Sequence, residues 1–137
     1  MREGHGAIRR EITKLQQAAY ATACLELATE TETPMPEIHE LTKGFLESVG
    51  AHPTLPQTVF AFELKLLHEL GMEPAVATSH LTPGAGRLAT TLQTRDWPDI
   101  ARLKFSASQN DEVGRWLHGF LMFHLGKLPR GRAAAIA

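Results

Sequence analysis

An all-α domain of about five to six helices is the fold this sequence predicts, on three observations. Apolar residues recur every three or four positions through most of the chain, Pro-containing breaks separate those runs, and no stretch alternates apolar with polar residues at strand length with β-branched enrichment. The 137 residues suit one packed domain, taken as 1–137 with 1–6 and 128–137 as flexible ends. A hydrophobic share of 43% against 21% charged residues fits a soluble globular chain rather than a disordered one.

Ile8, Ile12, Leu15, Ala19, Ala23 and Leu27 share one helical face, so residues 7–29 read as a long amphipathic helix with Arg9, Arg10 and Lys14 in its first turns. Thr33-Pro34-Met35-Pro36 breaks the pattern, because Pro lacks an amide donor and turns its predecessor away from helix. From Glu37, Ile38, Leu41, Phe45 and Val49 repeat the spacing, and Gly50 marks the expected stop. Pro53 and Pro56 punctuate a connector, and Thr58 to Leu70 forms a third helix closed by Gly71 and Pro74. Thr82-Pro83 supplies an N-cap and a first-turn proline for a fourth helix with Leu88 and Leu92 facing one way. Asp96-Trp97-Pro98 opens a short helix carrying Ile100 and Leu103. Ser108 to Asp111 resembles a capping box ahead of Val113, Trp116, Leu117, Phe120, Leu121 and His124, and Gly126 ends that helix.

Charge is uneven along the chain although the net is −1. Residues 1–50 carry 5 basic and 8 acidic side chains, whereas residues 95–137 carry 7 and 4. The five Glu between Glu26 and Glu40 would repel a phosphate backbone, so a nucleic-acid contact is expected at the chain ends: Arg9, Arg10, Lys127, Arg130 and Arg132. For Lys127, Arg130 and Arg132 a solvated tail that complements the dipole of the last helix is the favoured reading over DNA contact.

Most enzyme and cofactor chemistry lacks its residues. The seven His form no i, i+4 pair, and His39-Glu40 and His68-Glu69 lack the second His of a zincin motif, so no metal is implied. Cys24, the only thiol, sits amid Ala and Leu and reads as a small core residue. Gly84-Ala85-Gly86 follows no strand and precedes no GK[ST], so it is a helix start rather than a phosphate loop. No cofactor is implied, no apolar run is long enough to cross a bilayer, and a cytosolic setting is expected.

The third helix poses a surface question. Val59, Phe62, Leu66 and Leu70 form one stripe, and Phe60, Leu64, Leu67 and Gly71 a second, which Lys65 and His68 flank. Such a helix is either buried all round or keeps one face for a partner. In the second case Phe60, Leu64, Lys65 and His68 would seat an acidic segment with hydrophobic anchors.

Phe62-Glu63-Leu64-Lys65-Leu66-Leu67, followed by Leu70-Gly71-Met72 and Pro74, resembles the most recognisable stretch of the helical C-terminal domain of the RecO family of DNA repair proteins. Ala19-Tyr20 with Glu26-Leu27, then Leu81-Thr82-Pro83-Gly84-Ala85, then Phe123-His124-Leu125-Gly126-Lys127 are similar to further stretches of that domain, in the right order. Family members usually begin with an OB-fold barrel and many carry a four-cysteine zinc ribbon. Neither is visible here, so the chain resembles a C-terminal fragment or a shortened relative. Ala61 replaces a frequent basic residue, and Arg130-Gly131 replaces the usual Lys-Ser.

The resemblance implies a non-enzymatic recombination mediator, cytoplasmic and nucleoid-associated. It would help displace single-strand-binding protein, anneal strands and load recombinase together with a RecR-type partner. Its helical domain would receive the acidic, hydrophobic-ended tail of single-strand-binding protein, and DNA would be held mainly by the OB domain. The competing expectation is a structural helical module that packs on an OB domain or a partner subunit and binds no DNA itself.

Overall fold

The computed structural model describes residues 2–28, 36–52, 55–76, 79–126 and 131–136, without the side chains of 2–7, 9, 27 and 28. These residues form seven α-helices and no strand: α1 (Arg2–Ala28), α2 (Pro36–Ala51), α3 (Pro56–Glu69), α4 (Pro83–Thr94), α5 (Trp97–Arg102), α6 (Ala107–Leu125) and α7 (Arg132–Ile136).

Local chemistry accounts for most boundaries. Pro56 and Pro83 each occupy the first turn of their helix behind an extended residue, Leu55 or Thr82, where the missing amide donor costs nothing. Gly71 and Gly126 close α3 and α6 at φ 74° and 75°, a left-handed geometry that side-chain-bearing residues resist. The capping box of α6 lies two residues ahead of the expected one. The Ser106 hydroxyl accepts the Gln109 amide at 3.1 Å, and the Gln109 side chain accepts the Ser106 amide at 3.0 Å. Ser106 is extended, as an N-cap must be, whereas Ser108 already lies inside the helix. Gly50 does not stop α2, which runs on to Ala51.

α3 is the axle of the molecule. Val59, Phe62 and Leu66 pack on Tyr20, Cys24, Ile38, Phe45 and Val49 of α1 and α2. Phe60, Leu64 and Leu67 pack on Ala85, Leu92, Ile100, Val113 and Leu117 of α4, α5 and α6. Both stripes are therefore core, and the open groove expected along Phe60 and Leu64 is filled by side chains of the later helices. Phe45 and Phe62 stack with ring centroids 4.7 Å apart, and Trp97 meets Phe45 edge-on at 5.9 Å, which ties α5 to the first core.

α1 begins at Arg2, and α7 packs on α1 with Arg132 and Ala135 buried. Residues 128–130 lie outside the described residues. The first half of the apolar stripe read along α1 lies on the outside. Ile8, Ile12 and Leu15 are 60%, 48% and 68% exposed, and Gln17, Tyr20, Ala21 and Cys24 face inward instead. The reason lies in polar partners that periodicity does not register: Gln17 Nε2 donates to Ala135 O at 3.1 Å, and the Tyr20 hydroxyl donates to Glu63.

Candidate partner-binding cleft

Glu63 sits between Phe62 and Leu64 on the most buried helix, where an isolated carboxylate would be costly. It is held by three donors. Arg132 Nε and Nη2 reach Oε2 and Oε1 at 2.6 and 3.0 Å, and the Tyr20 hydroxyl donates to Oε2. Arg132 Nη2 also donates to Gly114 O at 3.1 Å, and the guanidinium lies 5.9 Å from the centre of the Phe60 ring. Burial, and then the Glu63 charge, raises the Tyr20 pKa far above its ordinary value. Burial pushes the Cys24 thiol up to about 12. For Arg132, burial opposes the charge, but the bonds to Glu63 outweigh it and raise its pKa.

Beside this network the start of α3, the first half of α6 and α7 enclose a cleft of about 510 Å³. Pro56, Phe60 and Ile136 give it an apolar floor, and Arg115 and His118 stand at its rim. Gly114 lets α6 approach: a Cβ there would lie 3.2 Å from Phe60 Cζ. The Asn110 Oδ1, also lining the cleft, is buried without a hydrogen-bond donor. Arg115 is paired with Asp111 at 3.2 Å, but both side chains are exposed, so the pair is weak and an incoming carboxylate can compete for it. The arrangement suits an apolar side chain with acidic neighbours.

The expected site residues separate into different places. Phe60 and Leu64 are core. Lys65 is half-buried, donates to Arg95 O at 2.8 Å and lies 5.7 Å from the Trp97 ring centre; burial lowers its pKa. His68 is exposed, 3.3 Å from Glu73. Of the cations assigned to DNA, Arg10 is exposed on α1. The Arg9 side chain, Lys127 and Arg130 lie outside the described residues. Arg132 is no solvated cation: its guanidinium is spent on Glu63. Phe60 and Arg132, expected at separate sites, meet at the cleft. Sequence reasoning passed over Asn110, Gly114 and His118, whose i, i+4, i+8 spacing puts a small and polar face on an otherwise apolar helix. Among the described residues no group of three or more His, Cys, Asp or Glu is placed to hold a metal ion, and no helix is long and apolar enough to cross a membrane.

A central helix buried on both faces, an internal carboxylate–guanidinium pair and a cleft beside it characterise this all-α domain. The family profile described as "Recombination protein O C terminal" matches residues 9–81, more than half of the chain, and the chain belongs to that family. It is 29% identical over 82 residues to the DNA repair protein RecO of Myxococcus xanthus, covering 60% of this chain and 34% of that protein. It is 31% identical over 71 residues to the DNA repair protein RecO of Anaeromyxobacter sp. (strain K), covering 52% of this chain and 28% of that protein. The matched stretch thus spans about a third of the curated relatives. No solved structure matches the chain. The family match takes in Tyr20 and Glu63 and ends before α4, so α6, α7 and the cleft rim lie beyond it.

Proposed function

We propose that this chain serves DNA repair as a RecO-type mediator that catalyses no reaction, acting in the cytoplasm with a RecR-type partner to support strand annealing and recombinase loading. In this reading its helical domain takes the acidic, hydrophobic-ended tail of single-strand-binding protein. Family membership supports the repair role. The observation that carries the tail-binding part is the cleft: an apolar floor of Pro56, Phe60 and Ile136 beneath Arg115 and His118. A terminal aromatic side chain fills the floor, and the acidic residues before it meet the Arg115 guanidinium and the His118 ring at the rim. The groove along Leu64 is withdrawn as the seat, because that residue is fully buried.

Fluorescence anisotropy of a labelled acidic tail peptide tests this reading. Saturable binding near the micromolar range is expected, lost when the terminal aromatic residue is removed and about tenfold weaker in Arg115→Glu. No binding by the folded, monodisperse chain would sink the tail-binding part. A second reading, a helical module that docks on another protein surface, is favoured by one observation: the exposed Ile8, Ile12 and Leu15 of α1.

A further inference from the structure

Asn110 brings an acceptor without a donor to the wall of the cleft. Its backbone amide is spent inside α6, on Ser106 O at 2.9 Å, but its half-buried side chain lines the cleft, and Oδ1 is buried with no hydrogen bond. The cations of the same cleft are engaged elsewhere: Arg132 on Glu63 and on Gly114 O, and Arg115 on Asp111. Native folds leave few buried acceptors unpaired, because each gives up the hydrogen bonds it made in water. An apolar side chain at this position would avoid that cost, so the fold alone does not account for a carboxamide here.

We infer that Asn110 reads the main chain of the segment in the cleft: its carboxamide turns to accept the backbone N–H of the terminal aromatic residue of an acidic tail. This rests on the tail-binding reading above and adds what an apolar floor and a charged rim lack, a fixed point for the peptide backbone. The turn is cheap, because the amide torsion of Asn is broad and Oδ1 leaves no partner behind. Position along α6 sets which peptide group is met. Arg115 and His118 follow Asn110 by five and eight residues, about 8 to 12 Å along the helix axis. With the acidic residues of the tail at that end, its last residue lies toward Asn110, roughly three or four extended residues away. Asn110 stands beyond residues 9–81, the stretch that matches the family.

Fluorescence anisotropy with two labelled peptides tests it. One is the acidic tail of single-strand-binding protein, and the other is the same peptide methylated on the amide nitrogen of its terminal aromatic residue, which removes the donor and keeps side chain and charge. Each is titrated with the wild-type chain and with Asn110→Leu. Either change alone should weaken binding about tenfold, and both together little more than one, because they delete the same hydrogen bond. Losses that simply multiply would overturn the inference and leave tail binding standing, whereas no binding of the unmodified peptide to the folded chain would overturn both. A second measurement needs no ligand. Asn110→Leu and Asn110→Ala give up no Oδ1 hydrogen bond in the free chain, and both residues favour helix more than Asn, so at least one should match or exceed the wild-type urea midpoint. A midpoint lowered in both would show that the amide is paired within the fold, and would overturn the inference.

Discussion

Arg132, the first residue of α7, grips both carboxylate oxygens of Glu63 at 2.6 and 3.0 Å, and the two side chains are 6% and 1% exposed. The pair joins residues 69 positions apart and makes the last short helix a clamp on the central one. Removing one partner strands a buried charge. Arg132→Met should cost about 3–5 kcal/mol in urea unfolding, whereas Glu63→Leu with Arg132→Met should recover most of that loss. If the single variant unfolds at the wild-type urea concentration, the clamp is not closed in solution.

Leu64 separates a surface from a core. On a partner-binding face, Leu64→Asp would leave the fold intact and abolish binding. With Leu64 at 0% exposure among Leu92, Ile100 and Leu117, the same change should unfold the chain, and Leu64→Ala should cost about 2–5 kcal/mol. Thermal unfolding followed by circular dichroism separates the two: a cooperative, near-wild-type transition in Leu64→Asp would contradict the packing.

Helix order and the caps at Thr82-Pro83, Gly71 and Gly126 were legible because Pro, Gly and apolar spacing act locally. The side of a helix that finds a partner is not local. Ile8, Ile12 and Leu15 look like a core face by period alone, yet Tyr20 faces inward because Glu63 awaits it from 43 residues away. α7 escaped notice because five residues, Arg, three Ala and one Ile, are too few to carry a periodic signal, and its place is fixed by the clamp. The cleft shared the same blindness. Its floor comes from α3 and α7 and its rim from α6, so only the folded chain assembles it.

Alkaline pH should loosen this core. Burial pushes the Cys24 thiol up to about 12 and raises the Tyr20 hydroxyl too, so the folded chain keeps protons that the unfolded chain gives up. The stabilisation is fully present below the ordinary thiol pKa and falls as pH rises toward the folded value, by about 1.4 kcal/mol per pH unit for each group ionised in the unfolded chain. Urea midpoints should therefore drop steadily above roughly pH 9, and Cys24→Ala should flatten part of that slope. A flat profile to pH 11 or so would mean that the two groups titrate alike folded and unfolded.

Gly44 and Trp97 give the tightest of these tests, because one substitution sets helix propensity against packing. Alanine is the better helix former by about 1 kcal/mol, so propensity alone predicts that Gly44→Ala stabilises α2. A Cβ at Gly44, however, would lie 2.6 Å from Trp97 Nε1 and 3.3 Å from Cδ1. The indole has little freedom to yield, being edge-on to Phe45 with Lys65 near its ring. Overpacking of this kind costs about 1–3 kcal/mol, enough to reverse the sign. Gly119, within α6 and with nothing inside 4 Å of its would-be Cβ, is the matched control. Gly119→Ala should raise the unfolding midpoint, and Gly44→Ala should lower it while changing the tryptophan emission. Stabilisation by both would show that Trp97 moves freely and that α5 is held to the first core by something other than its ring.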